Sequence, residues 1–142
     1  QYQKNTGILS VKWLAYKKRY SKIMNNALFK ISGIKSGTHI YHLDKLADKK
    51  AHVVKGKKKY SSGIIIYKEK NNIYVWLNNC PHANLNLDLI EGKVQSNNGD
   101  LFCANHGAKF DPKTGMCIKG PCKNKSLEKF PFYIKNNFLI AG

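Results

Sequence analysis

Two short segments of the chain each combine one cysteine with one histidine. The first reads C-P-H at residues 80–82 and the second reads C-A-N-H at residues 103–106, with 20 residues between them. Each segment follows an apolar run, ending at Leu77 and at Phe102, that is typical of a β-strand. Because thiolate and imidazole groups are good ligands for transition metals, the two segments predict a metal centre where two strands end.

The spacing C-x-H and C-x-x-H suits a cluster with two metal ions. In a Rieske [2Fe–2S] centre, two thiolates bind one iron and two imidazoles bind the other. The short separations let each loop contribute to both irons, and the turn-forming residues Pro81 and Gly107 permit tight bends. The candidate ligands, for cofactor and metal alike, are Cys80, His82, Cys103 and His106.

From about Ile40 to the C-terminus the chain resembles a Rieske ferredoxin domain. The resemblance is carried by the segments CPHANLNL and CANHGAKFDPKTGMCIKGPC. Residues 111–115 are similar to the family's turn after the second binding loop, and Gly120-Pro121 resembles the third, proline-containing loop that covers the cluster. The resemblance implies a Rieske-type [2Fe–2S] cluster on the four candidate ligands, and one-electron transfer as the function.

The chain departs from the respiratory members of this family at four positions. Those members carry one further cysteine in each binding loop, and the two form a disulfide; the matching residues here are Leu85 and Asn105. They also carry a serine and a tyrosine whose hydroxyls hydrogen-bond to sulfur, where this chain has Ala108 and Phe110. Fewer hydrogen bonds to sulfur leave the reduced cluster less stabilised. We therefore expect a potential of roughly −150 mV rather than about +300 mV.

Other interpretations of the cysteines stay open at this point. Two cysteines and two histidines also suit tetrahedral Zn²⁺, although a single residue between Cys and His is unusual for zinc folds. A module of the same fold that lacks a metal is a further alternative. Cys117 and Cys122 either form a disulfide across the loop containing Gly120-Pro121 or remain packed thiols, and a reducing compartment favours thiols.

Short β segments dominate the chain after residue 40. The apolar runs at residues 64–67 and 73–77 flank Asn71-Asn72 and predict a hairpin. Further strands are predicted at residues 39–43, 51–54, 89–95, 101–103, 108–111, 116–119, 130–135 and 138–141, with Gly, Asn or Pro in nearly every gap. The expected fold is mostly β: a Rieske-like antiparallel sandwich or barrel with a small cluster-binding subdomain, over residues 40–142.

Residues 1–39 are predicted to be a basic extension that contains an amphipathic helix. Residues 1–43 hold eight basic and no acidic residues. Apolar residues recur at helical spacing between Lys12 and Ile31, and Ser32-Gly33 and Ser36-Gly37 are good terminators. The apolar stripe consists of Trp13, Tyr16, Tyr20, Ile23, Met24, Ala27, Leu28 and Ile31. This stripe packs on the domain, docks on a partner or membrane surface, or belongs to a retained targeting segment.

The net charge of +17 fits an acidic protein partner or an anionic membrane surface. The lysines are scattered along the whole chain and accompany no nucleic-acid motif, so no nucleic-acid partner is expected. No run approaches the roughly 18 apolar residues of a membrane span. No signal peptide is visible, and the first residue, Gln1, indicates a processed or trimmed product.

These features predict an electron-transfer protein rather than a stand-alone catalyst. A Rieske oxygenase needs a second iron domain, for which 142 residues leave no room. Three roles remain: a free low-potential ferredoxin working between a reductase and an acceptor, an electron-transfer subunit of a larger assembly docked through the basic helix, or a structural or redox-sensing subunit. Reduced thiols and an acid-free N-terminus suggest an intracellular, reducing compartment, either the mitochondrial matrix or the cytosol.

Overall fold

The computed structural model describes residues 6–142, with side chains from residue 10 onward. A long helix comes first and is followed by nine short strands. In chain order the elements are α1 (Thr6–Ser32), β1 (His39–His42), a 3-10 helix (Leu43–Lys45), β2 (Lys50–Val54), β3 (Ile64–Glu69), β4 (Asn72–Leu77), β5 (Leu101–Phe102), β6 (Lys109–Phe110), β7 (Cys117–Lys119), β8 (Phe132–Lys135) and β9 (Phe138–Ala141).

Strand pairing within residues 6–142 gives three antiparallel sheets of three strands each, in the orders β1-β9-β8, β2-β3-β4 and β5-β6-β7. The third sheet is the smallest and carries the second Cys/His segment, so it forms the cluster-binding subdomain. The predicted mostly-β, antiparallel fold with an N-terminal helix is confirmed, in the form of open sheets rather than a closed barrel.

Two hairpins are closed by two-residue turns. In the β3–β4 hairpin the turn is formed by Lys70-Asn71, one residue earlier than predicted, because Glu69 pairs with Asn72. In the β8–β9 hairpin Asn136 and Asn137 both adopt positive φ, at 51° and 65°. Positive φ at both positions gives a turn whose twist matches the flanking strands, and asparagine tolerates this conformation better than most residues.

Residues 89–95 do not form the predicted strand. The carboxylate of Asp88 accepts a hydrogen bond from the backbone N–H of Gly92 at 3.0 Å, and Gly92 has a φ of 82°. Leu89 and Ile90 are exposed, and only the end of the segment pairs, as an isolated bridge between Gln95 and Leu101. A local turn held by the carboxylate therefore overrides the β propensity of these apolar residues.

The sheet β2-β3-β4 separates two hydrophobic clusters. Side chains alternate across β3, so Ile64 and Ile66 pack in one cluster and Ile65 in the other. Trp76 on β4 lies on the same side as Ile65. The Ile65 side also contains all four cysteines of the chain, so one core supports the cluster-binding subdomain while the other supports the helix and the terminal sheet.

Helix α1 is joined to the domain through its C-terminal end. Leu28 is buried, and the ring of Phe29 meets that of Phe130 edge-to-face, with 5.6 Å between their centroids. The backbone N–H of Gly33, at a φ of 74°, donates to the carbonyl of Phe29 at 3.0 Å, so the helix ends at the predicted Ser32-Gly33 terminator. The carbonyls of residues 31–33 accept hydrogen bonds from the β2–β3 loop, which fixes the end of the helix.

The rest of the apolar stripe on α1 is exposed. Trp13 is 56% exposed and Ile23 is 60% exposed. Trp13, Tyr16 and Tyr20 stack in sequence along the helix, and the Lys17 ammonium lies 5.5 Å from the Trp13 ring centroid. Packing on the domain therefore accounts only for the last turns. Among the described residues, no helix combines the length and the apolar character that a membrane span requires.

Candidate metal centre

The first Cys/His loop is closed by hydrogen bonds to the backbone of Cys80. The N–H of Cys80 donates to the carbonyl of Leu85 at 2.7 Å, and its carbonyl accepts from the N–H of Asn84 at 2.8 Å. Asn84 has a φ of 53°, which lets the chain reverse at this point. The loop therefore turns back on its own cysteine within five residues.

The second loop has the same backbone pattern. The N–H of Cys103 donates to the carbonyl of Ala108 at 2.8 Å, and its carbonyl accepts from the N–H of Gly107 at 3.0 Å. Gly107, at a φ of 69°, takes the position that Asn84 holds in the first loop. The two loops thus present their cysteines in equivalent backbone environments, although their Cys–His spacings differ by one residue.

The two loops are held side by side. The N–H of Ala104 donates to the carbonyl of Leu87 at 3.1 Å. The side-chain amide of Asn105 donates to the carbonyl of Asn86 at 3.3 Å and lies 3.9 Å from the sulfur of Cys103. The contacts to Leu87 and Asn86 cross from one loop to the other, and the second of them lies beside the Cys103 sulfur.

Asn78 anchors the first loop at its C-terminal end. This side chain is fully buried; its carbonyl accepts from the N–H of Leu87 at 2.9 Å, and its amide donates to the carboxylate of Asp88 at 2.8 Å. One residue thus fixes the far end of the loop that begins at Cys80. The sequence analysis did not predict this anchoring role for Asn78. The one sequence feature that pointed to it is the position of an amide side chain between the apolar run that ends at Leu77 and the candidate ligand Cys80.

Cys80 and Cys103 are both buried, and both belong to the hydrophobic core on the Ile65 side of the central sheet. Burial raises the pKa of the Cys80 thiol and the neighbouring Cys103 raises it further, whereas backbone N–H groups of His82 and Ala83 lower it. Those N–H groups are donors already directed at the sulfur. An iron ion would replace the thiol protons, as metal binding requires.

His82 and His106 are exposed and adjacent. Their ring centroids lie 4.8 Å apart, with the ring planes at 85°. The structure therefore brings together all four predicted ligands as two buried sulfurs and two imidazoles that reach solvent. This division matches the chemistry of a Rieske cluster, in which the sulfurs bind one iron and the imidazoles bind the other.

Within residues 6–142, no group of three or more Cys, His, Asp or Glu side chains is arranged to hold a single metal ion. A [2Fe–2S] cluster does not require such a group, because each iron takes only two protein ligands. The donor set present therefore fits the two-iron group.

A turn after the second loop rests on the central sheet. The indole N–H of Trp76 donates to the carbonyl of Pro112 at 2.9 Å, and the Lys113 ammonium lies 3.2 Å from the Glu69 carboxylate. Gly115, at a φ of 74°, lies against the Trp76 ring; a methyl group there would come within 2.6 Å of Cζ3. The turn predicted at residues 111–115 is thus fixed to β3 and β4.

The third loop lies over the second. A methyl group added to Gly120 would lie 2.9 Å from the Cα of Ala108, so this close approach requires glycine. Cys117 and Cys122, on either side, are free buried thiols with their sulfurs 2.9 Å apart. Burial, followed by the nearby sulfurs of Cys117 and Cys80, raises the pKa of Cys122 to about 12. The thiol alternative for this pair is the one found in the structure.

Comparisons with known proteins identify the family of this chain. The family model of the Rieske [2Fe-2S] domain matches residues 38–131. A search of curated proteins returns no match. Among solved structures, the ferredoxin of carbazole 1,9a-dioxygenase from Nocardioides aromaticivorans IC177 is similar, with 18% identity and a TM-score of 0.56 over 76% of this chain and 98% of the other.

Two further solved structures show the same fold. The Sphingomonas yanoikuyae B1 ferredoxin has 20% identity and a TM-score of 0.57, over 74% of this chain and 96% of the other. The quaternary ammonium Rieske monooxygenase CntA has 18% identity and a TM-score of 0.58, over 76% of this chain and 31% of the other. The aligned part of this chain therefore covers nearly the full length of the two ferredoxins and about one third of the length of the monooxygenase chain.

The fold and the paired loops define an iron–sulfur electron-transfer protein. The chain belongs to the Rieske [2Fe-2S] domain family. Its cofactor is a Rieske-type [2Fe–2S] cluster, and it transfers single electrons through that cluster.

Proposed function

We propose that Cys80 and Cys103 bind one iron, that His82 and His106 bind the other, and that the chain carries electrons between protein partners. The observation that carries this proposal is the pair of matching loops, which place two buried sulfurs and two exposed imidazoles together. The sulfurs hold the cluster inside the domain. The imidazoles form its solvent-facing side, where an electron has the shortest path to a partner.

The partner is a protein that covers the two histidines. Leu85, in the first loop, and Ile118, next to the third loop, are exposed apolar residues on the elements that build the site. Apolar residues beside an electron exit suit a transient protein contact. One similar structure is titled a complex of reduced oxygenase and oxidized ferredoxin in carbazole 1,9a-dioxygenase, and it supports a protein redox partner here.

The potential lies at the low end of the Rieske range, roughly −150 mV. Ala108 and Phe110 are fully buried in the hydrophobic core that also contains the four cysteines, and neither side chain carries a hydroxyl group. Neither side chain can donate a hydrogen bond to sulfur. A low potential suits a protein that delivers electrons to an acceptor.

The basic helix α1 docks the domain on a larger electron-transfer assembly. Its exposed aromatic and aliphatic residues lie among six basic side chains, and the helix contains no acidic residue. An acidic, partly apolar surface on a partner protein complements both features. Binding of the purified protein to vesicles rich in anionic lipid, at physiological salt, would instead assign the helix to a membrane surface.

The chain works in a reducing compartment, the mitochondrial matrix or the cytosol. Its four cysteines are free in the structure, and the basic helix resembles a segment that organelle import machinery recognises. Imaging of the chain fused at its C-terminus to a fluorescent protein distinguishes the two compartments.

The cluster is tested on protein purified without oxygen, by visible absorption and low-temperature EPR before and after dithionite. We expect a reddish oxidised form and, on reduction, the low average g-value of histidine-ligated [2Fe–2S]. Cys80→Ser and His106→Ala should lose or alter this spectrum. Cys117→Ser and His39→Gln replace the same residue types outside the two loops and should retain it.

The outcomes separate the alternatives. A colourless protein that contains zinc, or no metal, would contradict the electron-transfer proposal. An intact cluster that no reductase reduces would point to a structural or sensing subunit. A spectrum unchanged in Cys80→Ser would refute the ligand assignment while leaving the cofactor in place.

A further inference from the structure

Asn105 lies between the two histidine-bearing loops without being one of the proposed ligands. It follows Cys103 by two residues and precedes His106. Its side chain is half-buried, and its amide nitrogen faces the first loop on one side and a ligand sulfur on the other.

The Asn105 amide nitrogen has two acceptors and two hydrogens. It lies 3.3 Å from the carbonyl oxygen of Asn86 and 3.9 Å from the sulfur of Cys103. A primary amide carries two N–H groups, so each acceptor can receive one. The larger radius of sulfur accounts for part of this longer distance, and the contact with the thiol is weak. A thiolate bound to iron is a stronger acceptor than the thiol and would strengthen the contact.

We propose that Asn105 is a positioning residue for the cluster, which donates one N–H to the Cys103 sulfur and the other to the first loop. The first hydrogen bond raises the reduction potential, and the second holds the two loops at a fixed separation. This inference rests on the proposed assignment of Cys103 as an iron ligand.

The effect on potential follows from charge. Reduction adds one negative charge to the cluster, and part of that charge lies on the cysteine sulfurs. A hydrogen bond to sulfur therefore stabilises the reduced state more than the oxidised state. Ala108 and Phe110 cannot donate a hydrogen bond to sulfur. The side-chain amide of Asn105 can, because it lies beside the sulfur of the proposed ligand Cys103.

The effect on the loops follows from the position of the second contact. The Asn86 carbonyl lies near the end of the first loop, next to Leu87, whose own carbonyl accepts from Ala104. The two inter-loop hydrogen bonds are adjacent along both segments. Without the Asn105 amide, one of these two inter-loop hydrogen bonds would remain, that from Ala104 to Leu87, and we expect the cluster to be released more readily.

The test compares reduction potentials by protein-film voltammetry in variants that retain the visible spectrum. Asn105→Leu keeps a similar volume without an N–H group and should shift the potential to more negative values. Asn105→Ser retains one hydroxyl donor and should give an intermediate potential. Asn86→Ala is the matched control, because it removes a neighbouring amide but leaves the backbone carbonyl, and its potential should equal that of the parent protein.

Two further readouts do not depend on activity. The rate of cluster loss at 37 °C, followed by absorbance, should rise several-fold in Asn105→Leu and stay unchanged in Asn86→Ala. On transfer to D₂O, the Fe–S(Cys) resonance Raman bands should shift further in the parent protein than in Asn105→Leu, because the backbone N–H groups of His82 and Ala83 contribute equally in both.

Equal potentials in Asn105→Leu and the parent protein would overturn the proposal. If Asn105→Leu fails to retain the cluster, Asn105→Ala takes its place, and a potential and a D₂O shift equal to those of the parent protein would also overturn the proposal. Failure of the ligand assignment is distinguishable, because it appears as an unchanged spectrum in Cys103→Ser and not as a shift of potential.

Discussion

At the scale of single residues, the cluster environment depends on which groups can donate to sulfur. Ala108 is fully buried in the same core as Cys80 and Cys103. Ala108→Ser adds a hydroxyl and should raise the potential. One hydrogen bond of about 1 kcal/mol that forms only with the reduced cluster corresponds to roughly 40 mV for one electron. Voltammetry measures this shift, with Ala108→Gly as a control that adds no donor. A potential unchanged by the serine would refute the role of missing hydroxyls.

Asn78 is a second residue whose effect should be local and large. Asn78→Ala removes both hydrogen bonds that fix the end of the first loop and leaves the N–H of Leu87 without its partner. We expect a loss of about 2 kcal/mol in the free energy of unfolding, measured by urea titration. Asn79→Ala changes a neighbouring, partly exposed amide and should cost much less. Equal losses in the two variants would contradict an anchoring role for Asn78.

Tyr67 gives the protein a pH-dependent stability. Burial, followed by its hydrogen bond to Glu69, raises the pKa of Tyr67 to about 12. A raised pKa means that the folded state keeps its proton between about pH 10 and 12 while the unfolded state loses it. Stability should therefore fall as the pH rises through this window. Tyr67→Phe should flatten the fall, as measured by urea unfolding between about pH 9 and 12. An equally steep fall in the variant would assign the effect to other groups.

At the scale of elements, the turn after the second loop is specified by packing as much as by its own sequence. Gly115 combines a positive φ with direct contact to the Trp76 ring. Gly115→Ala should destabilise the domain by about 2 kcal/mol or more, because it strains the backbone and displaces the indole that donates to Pro112. Gly99→Ala is the matched control: φ is also positive, at 93°, but no atom lies near the added methyl. Urea unfolding of both variants separates the contact from the backbone strain.

Sequence patterns predicted elements well where local chemistry decides them. The β3–β4 hairpin and the C-terminal end of α1 depend on residue periodicity and on turn residues such as Gly33, and both were found where expected to within one or two residues. Residues 89–95 were predicted wrongly as a strand because the carboxylate of Asp88 closes a turn that propensity does not reveal. The sequence also did not predict that the two loops share the same backbone hydrogen bonds, since their Cys–His spacings differ.

At the scale of the whole molecule, the helix and the β domain share a core. The predicted boundary at residues 39 and 40 stays a prediction, but Leu28 and Ile34 lie before it and are buried against the terminal sheet. The end of α1 therefore supports the fold, and the exposed part is the surface that we propose for docking.

Two truncations test this division. Removal of residues 1–25 should leave the free energy of unfolding and the cluster spectrum nearly unchanged while weakening association with a partner. Removal of residues 1–38 also deletes the buried Leu28 and Ile34 and the partly buried Phe29. It should cost about 5 kcal/mol, at about 1.5–3 kcal/mol for each fully buried side chain. Since small domains are stable by about 5–15 kcal/mol, this loss removes between about a third and all of the free energy of unfolding, and the shorter chain should unfold at a much lower urea concentration. Equal stability of the two truncations would show that the helix end is dispensable.

The sequence by itself determined the class of fold, the type of cluster and the four residues proposed as its ligands. These follow from short segments in which each residue acts through its near neighbours, such as Cys80 with His82 and the turn at residues 111–115. The tertiary structure alone decided which part of the apolar stripe on α1 is covered, that Asn78 anchors the first loop, and that the Asn105 amide faces a sulfur. The reason is physical. Hydrogen bonds and apolar contacts between segments distant in the chain depend on how the sheets pack, and the pattern of neighbouring residues does not predict that packing.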